Sequence, residues 1–202
     1  MFGFGKSVEL RTARLTLRPA RLSDYPAWAR ARRDSGDFLK PWEPTWSSDH
    51  LTKRAFRHRV AWSRKAIQLE RAWPFLAFLS EDCAEHAAGA LVGAVTLDNV
   101  RRGPAQSATV GYWTTASMTR RGFMREALNE GRRYAFEDLR LSRLEAGCLP
   151  ENKASRALLE SCGFKYEGVA QAYLQINGRW RDHVLYASLN GDRRGRAETP
   201  EL

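Results

Sequence analysis

The sequence predicts an α/β (α+β) fold: one central mixed sheet, mostly antiparallel, of about seven strands flanked by helices. Three observations carry that expectation. The segments read β-α-α-β-β-β-α-β-α-β-β, which describes helices packed on a mixed sheet. No repeat and no second domain boundary divides the chain, so its 202 residues fit one domain over 1–189 with a tail at 190–202. Hydrophobic residues make up 43%, enough to fill a core.

Each element has its own reason. Arg14-Leu-Thr-Leu-Arg-Pro19 alternates polar and apolar and reads as a half-buried strand. Ser23-Asp24 caps a helix to about Asp34, with Pro26 tolerated in its first turn. Phe38-Leu-Lys-Pro-Trp-Glu-Pro44 holds two prolines and reads as an irregular, aromatic loop that Trp46 extends. A basic helix starts at Ser47, Ser48 or Asp49 and runs to about Arg71. Pro74–Leu79 is continuously apolar, as a buried strand would be; 88–97 and 106–114 complete a set of three. A helix runs from Gly122 to about Leu139, a strand over 142–149, and a short helix over 152–162 closed by Gly163. Residues 164–176 and 180–189 form a hairpin about Asn177-Gly178. The Gly/Arg/Glu-rich tail reads as disordered.

The formal net charge of +10 points to anionic partners: nucleic acid, a phosphorylated cofactor or an acidic membrane surface. Cys83, Cys148 and Cys162 show no CxxC spacing, which argues against a disulfide framework or a zinc site and for packing roles; no metal is expected. No apolar run reaches the roughly 18 residues of a membrane span. The N-terminus lacks the apolar core of a signal peptide, so a cytoplasmic location is expected.

The most informative stretch is Thr119-Arg-Arg-Gly-Phe-Met-Arg125. It follows the strand-like run Ala108–Trp113 and opens a helix. A helix N-terminus offers unpaired amides and the positive end of the dipole, and Arg120, Arg121 and Arg125 add three cations. The pattern suits a phosphate or pyrophosphate, although an ordinary solvated helix start would look similar.

With Asn152-Lys-Ala-Ser155 and Gly163-Phe164, this turn resembles the GNAT N-acetyltransferase superfamily. Its acetyl-CoA turn reads Gln/Arg-x-x-Gly-x-Gly/Ala; here Thr119 and Met124 depart and Gly122 fits. Met1-Phe-Gly3, Phe38–Pro44 and Asn177-Gly-Arg-Trp-Arg-Asp-His-Val184 are similar to the RimJ-type ribosomal-protein-alanine N-acetyltransferases, in which Met at 124 is acceptable. The resemblance covers roughly 1–189. It implies the GNAT fold, with two parallel strands, 106–114 and 142–149, splayed in the middle of the sheet. It implies acetyl-CoA as co-substrate, its pantetheine pairing with Thr109, Val110 and Gly111 and with Asn152. The turn from Thr119 through Arg120, Arg121, Gly122, Phe123 and Met124 to Arg125 would hold its phosphates. An N–H near Gly111 would polarise the thioester carbonyl, and Gly111 would permit the distortion a splay needs.

Acetyl transfer needs a neutral amine. An α-amine has a pKa of about 7.7–8.0 and lysine about 10.4, so an N-terminus loses its proton near neutral pH at a cost of only about 1 kcal/mol. A chain without an obvious buried base therefore suits an N-terminal amine. Carboxylates that could assist are Glu43, Asp98, Glu145 and Asp182, with His183 as a neighbour; Glu145 sits where the cleft would open. Many superfamily members donate a proton to the leaving thiolate from a Tyr at the position of Leu159. RimL-type enzymes use a Ser at the position of Ser155, which makes Ser155 the expected general acid.

Phe38, Trp42, Glu43, Trp46 and Asp182 are expected to face the substrate, although the loop could instead form a satellite core. The basic helix could meet rRNA or be a solvated face. The expected activity is direct acetylation of a protein N-terminus, an alanine of a small-subunit ribosomal protein, by a monomer or weak dimer. Two rivals stand beside it: acetylation of a small-molecule amine, and a ribosome- or RNA-binding module with little catalysis.

Overall fold

A computed structural model describes residues 8–191. The motif at Met1–Gly3 and tail residues 192–202 therefore lie outside the described residues. Eight strands form one sheet: β1 (Leu10–Arg11), β2 (Leu15–Arg18), β3 (Trp73–Leu79), β4 (Leu91–Arg101), β5 (Ser107–Thr114), β6 (Arg143–Cys148), β7 (Lys165–Ile176) and β8 (Arg179–Leu189). Their spatial order is β1-β2-β3-β4-β5-β6-β8-β7. Only β5 and β6 run parallel; the other neighbours are antiparallel. The helices are α1 (Tyr25–Asp34), α2 (Gly36–Leu39), α3 (Lys53–Gln68), α4 (Phe123–Glu137) and α5 (Lys153–Ser161). The two-residue β1 is the strand beyond the seven expected, too short to show an alternating pattern.

The continuous apolar run of β3 has a structural cause: both faces of the strand are covered. Trp73, Phe75, Ala77 and Leu79 join α4 and α5 in the main core, with Phe123, Ala127, Leu128, Leu144 and Leu159. Leu76 and Phe78 join the second cluster, formed by Trp28 and Ala29 of α1 and Phe56 and Val60 of α3. Leu128 and Leu144 are wholly buried, so truncating one to Ala would cost about 2–5 kcal/mol. The second cluster draws nothing from β6, β7 or β8. Helices α1 and α3 thus cover one half of their face and stop beside β5.

Several local expectations need correction. The stretch 38–44 is not wholly irregular: α2 includes Phe38, and Lys40–Trp42 form a 3-10 turn. Pro41 sits in the first turn of that element, where no backbone donor is required. Helix α3 starts later than expected, because Thr52 takes the N-cap and its Oγ1 accepts from Ala55 N–H. Asp24 does stand at the start of α1, but its carboxylate accepts from Arg21 N–H and the Arg18 guanidinium rather than from its own helix. The hairpin turn is as expected, with Asn177 and Gly178 at φ 46° and 79°, the two positive angles that an Asn-Gly turn supplies. At the start of the expected tail, Asn190 is tied to the backbone of Ser142 and Leu141.

Candidate active site

Strands β5 and β6 pair only through Ser107–Arg143, Ala108–Leu144 and Thr109–Glu145. Beyond that point β5 continues to Thr114 along β4, and β6 continues to Cys148 along β8. Their facing edges carry no mutual pairing there, so backbone groups from Val110 and Ala146 onward line an open fork. A bare strand edge is a template for an extended ligand. The distortion that accompanies the splay lies in β4 rather than at Gly111. The β4–β5 register shifts between Asp98 and Arg101, where Asn99 has φ 51°, whereas it is continuous through Gly111. Thr109 Oγ1 stitches this bulge to the fork, accepting from Asn99 Nδ2 at 3.2 Å and donating to the Asp98 carbonyl.

At the mouth of the fork stands the N-terminus of α4. Gly122 is its N-cap at φ 78°, a left-handed conformation that favours glycine. Glu126 N–H is the first to bond back to the Gly122 carbonyl, so the preceding amides have no partner within the helix. Arg120 and Arg125 are exposed and Arg121 half-buried, and none forms an ion pair among the described residues. Phe123 and Met124 are buried in the core and can offer a ligand only their backbone. The helix start is braced from β2. Arg14 lies over the Phe123 ring at 4.6 Å, donates to the Arg121 carbonyl, and holds Glu126 with Thr12. Burial pushes the Glu126 carboxyl up, but the hydrogen bonds from Thr12 and Arg14 outweigh it and the net shift is downward.

Asn152 caps α5, its Oδ1 accepting from Ser155 N–H at 3.0 Å. The Ser155 hydroxyl meets Tyr112 of β5, Oγ to Oη 2.7 Å. This pair spans the fork, and Tyr112 is the functional candidate that the sequence did not reveal. The alternation of β5 places Tyr112 on the same face as Val110, which is a signal that could have found it. Burial pushes the Tyr112 phenol well above its usual range, against the smaller opposing effect of the Ser155 bond. Burial likewise pushes the Cys148 and Cys162 thiols up, so both remain thiols rather than nucleophilic thiolates.

The other face of the fork holds the expected substrate residues, with different outcomes. The Glu43 carboxylate grips both guanidinium nitrogens of buried Arg32, one at 2.8 Å, and accepts from Trp46 Nε1 at 2.7 Å. Arg32 in turn stacks between Trp46 at 4.3 Å and Trp113 at 4.8 Å. Trp46 also stacks on His50. Burial, then the charges of Arg32 and Arg59, pull the His50 pKa down to about 4. Glu43 and Trp46 are therefore loop anchors, while Phe38 and Trp42 remain exposed. The hairpin tip closes on this loop: Asn177 N–H donates to the Glu43 carbonyl at 3.0 Å. Ser35, at the α1–α2 junction, accepts from Ala116 N–H and ties the loop to the end of β5.

Two expected acids are committed elsewhere. Glu145 is the last residue of β6 that pairs with β5 and is held between Arg101 and Arg143 at the closed end, as a salt-bridged sheet residue. Asp182 lines a groove with Pro150, Glu151, Trp180 and Arg181, and its carboxylate accepts from Ala172 N–H at the β7 bulge. Among the described residues no group of His, Cys, Asp and Glu could hold a metal ion, and no helix is long and apolar enough to cross a membrane.

The forked sheet, the free amides with unpaired cations at its mouth and the hydroxyl pair across it lie together at one end of the parallel strand pair. The acetyltransferase (GNAT) domain family matches residues 14–165. The chain belongs to the GNAT acetyltransferase family. Two curated relatives match it nearly end to end. The probable N-acetyltransferase YjcK of Bacillus subtilis is 31% identical over 91% of this chain and 98% of its own. The [ribosomal protein uS5]-alanine N-acetyltransferase of Escherichia coli is 32% identical over 95% and 97%. Mycobacterium smegmatis RimJ, solved in complex with CoA-disulfide, superposes with a TM-score of 0.81 at 33% identity, covering 93% of this chain and 88% of that one. This GNAT protein is thus an acetyl-CoA-dependent N-acetyltransferase, which sets aside the reading as an RNA-binding module with little catalysis.

Proposed function

We propose that this GNAT enzyme acetylates a protein N-terminal α-amine in the cytoplasm, an alanine of a small-subunit ribosomal protein. The observation that carries the reading is similarity to the uS5-alanine enzyme over 95% of this chain, acceptor side included, rather than over the cofactor half alone. Residues 119–125 would hold the pyrophosphate of acetyl-CoA through helix amides and arginines. The β5 edge at 109–111 would pair with pantetheine, and Asn152 would orient it. A backbone N–H beside Gly111 would stabilise the oxyanion. The neutral amine attacks the thioester carbonyl directly. With both nearby cysteines held as thiols, no acyl-enzyme is required. Ser155, backed by a Tyr112 phenol that stays protonated, supplies a proton to the departing sulfur.

A contact with rRNA fits the same reading. Helix α3 exposes Lys53, Arg54, Arg57, Arg59, Arg64 and Lys65 around exposed Trp62, and no carboxylate occurs between Asp49 and Glu70. None of those cations is ion-paired among the described residues, and phosphate contacts with an aromatic to stack on would suit a nucleic acid.

The test is CoA release from acetyl-CoA with peptides beginning Ala, Ser, Met or acetyl-Ala. Release with free Ala peptides and none with the blocked one is expected. Transfer to a small-molecule amine with every peptide silent would overturn the reading.

A further inference from the structure

Each carboxylate that could take the amine's proton is engaged elsewhere. Glu43 holds Arg32 and Trp46, Asp98 accepts from Asn99 N–H, Glu145 sits between two arginines, and Asp182 holds the β7 bulge. Of the two imidazoles on this face among the described residues, His50 is held against Arg32 and Trp46, and His183 is left. His183 of β8 is only 3% exposed. Its neighbours Val184 and Tyr186 point into the main core under α5, so strand alternation turns His183 to the opposite, acceptor-side face. There its Cδ2 lies 3.8 Å from the Cβ position of residue 147, and its ring packs on Tyr173 at 5.6 Å. Gly147 lies past the last β5–β6 pair, so the imidazole packs over the face of β6 at the level of the fork, from the β8 side.

The tautomer follows from geometry. His183 Nδ1 is 3.0 Å from the Arg181 carbonyl oxygen, which can only accept. Nδ1 therefore carries a proton, and in the neutral ring the lone pair is on Nε2. Among the described residues Nε2 has no hydrogen-bond partner.

We propose that His183 Nε2 accepts the proton of the acceptor amine. This rests on the reading that an amine is acetylated on this face. The amine nitrogen bonds to the acetyl carbonyl carbon and the C–S bond breaks. The amine proton passes to Nε2, directly or through one water, and the sulfur's electron pair takes a proton from the Ser155–Tyr112 pair. Amide and CoA thiol leave, and His183 and the hydroxyl pair exchange protons with solvent to reset.

The experiment compares His183→Ala with wild type in three readouts. Turnover should fall on the order of 100-fold, the range of general base catalysis. Acetyl-CoA affinity should stay within about twofold, and added imidazole should restore about tenfold of the lost rate. In wild type, 15N spectra of the histidine rings should show the neutral form of His183 protonated at Nδ1 and bare at Nε2. A rate within about threefold of wild type, a loss that imidazole does not relieve, or a neutral ring protonated at Nε2 would each overturn the assignment. Wild type is assayed first. If only a small amine is acetylated, the protein-substrate reading fails and the His183 comparison runs with that amine. If no amine is acetylated, the ring spectrum decides.

Discussion

The two sides of the fork are built by different means. The side proposed for the cofactor offers mostly backbone, a bare strand edge and the amides of a glycine-capped helix, with the arginines of 120–125 and the Asn152 cap beside them. The acceptor side rests on side chains that reach one another across the chain: Arg32 with Glu43, Trp46 and Trp113, the hairpin tip against the loop, and His183 beside Gly147. On the proposed reading, the difference would explain how a cofactor turn tolerates departures at Thr119 and Met124. A ligand held by amides does not ask what side chains those amides carry, provided that Gly122 can take its left-handed angle. On the proposed reading, specificity would change most cheaply on the acceptor side, which is built mainly of side chains.

Substitutions separate the two sides. The largest effect is expected at Glu43→Ala, which leaves the buried Arg32 charge without its partner. A loss of about 3–5 kcal/mol should show in urea unfolding, with acetyl-CoA affinity nearly intact for the fraction that folds. Ser155→Ala acts where the sides meet. It should lower kcat on the order of 100-fold, about 2.7 kcal/mol, while acetyl-CoA titration is unchanged. Tyr112→Phe should act in the same direction, and the double variant should fall short of the product of the two, since they share one hydrogen bond. Equal losses of rate and cofactor affinity would remove the proton-donor role.

Gly122→Val is the counterpart on the cofactor side. Forcing a β-branched residue to φ 78° costs about 1–3 kcal/mol. Acetyl-CoA affinity should fall on the order of tenfold by calorimetry, with the acceptor KM little changed. The smallest effect is a pH dependence. His50 is depressed to about 4 by burial and by Arg32 and Arg59, while in the unfolded chain it titrates near about 6.5. Between these values the unfolded state binds more protons, so His50 makes stability fall as pH drops through about 6.5 toward 4. The difference in urea midpoint between about pH 7 and pH 5 should shrink in His50→Gln; an unchanged difference would show that His50 does not carry it.

Most of the fold was legible because its signals are local. The apolar run of β3, the Asn-Gly turn, Gly122 before α4 and Asn152 before α5 each announce an element within a few residues. The acceptor site was not legible for the opposite reason. Tyr112 and Ser155 are 43 residues apart in sequence and meet only because β5 and α5 pack together. Glu43 reads as a free carboxylate until α1 places Arg32 against it. Glu145 reads as central to the cleft, yet Arg101 of β4 and Arg143 of its own strand pair with it at the closed end. Spacing reports what a segment will become and is silent about which side chain another segment will bring to it.

The hydrogen bond from Asn177 to the Glu43 carbonyl completes a circuit: β5 through Trp113 to Arg32, Arg32 to Glu43, Glu43 to the hairpin, and along β8 and β6 back to the fork. A closed hoop differs from a groove in topology rather than in affinity. A polypeptide can lie along a groove anywhere in its length, but it can thread a hoop only by an end. On the proposed reading, an acceptor that enters inside this ring of contacts would enter end first, and connectivity would then favour a terminus over an internal lysine before any side chain of the substrate is read.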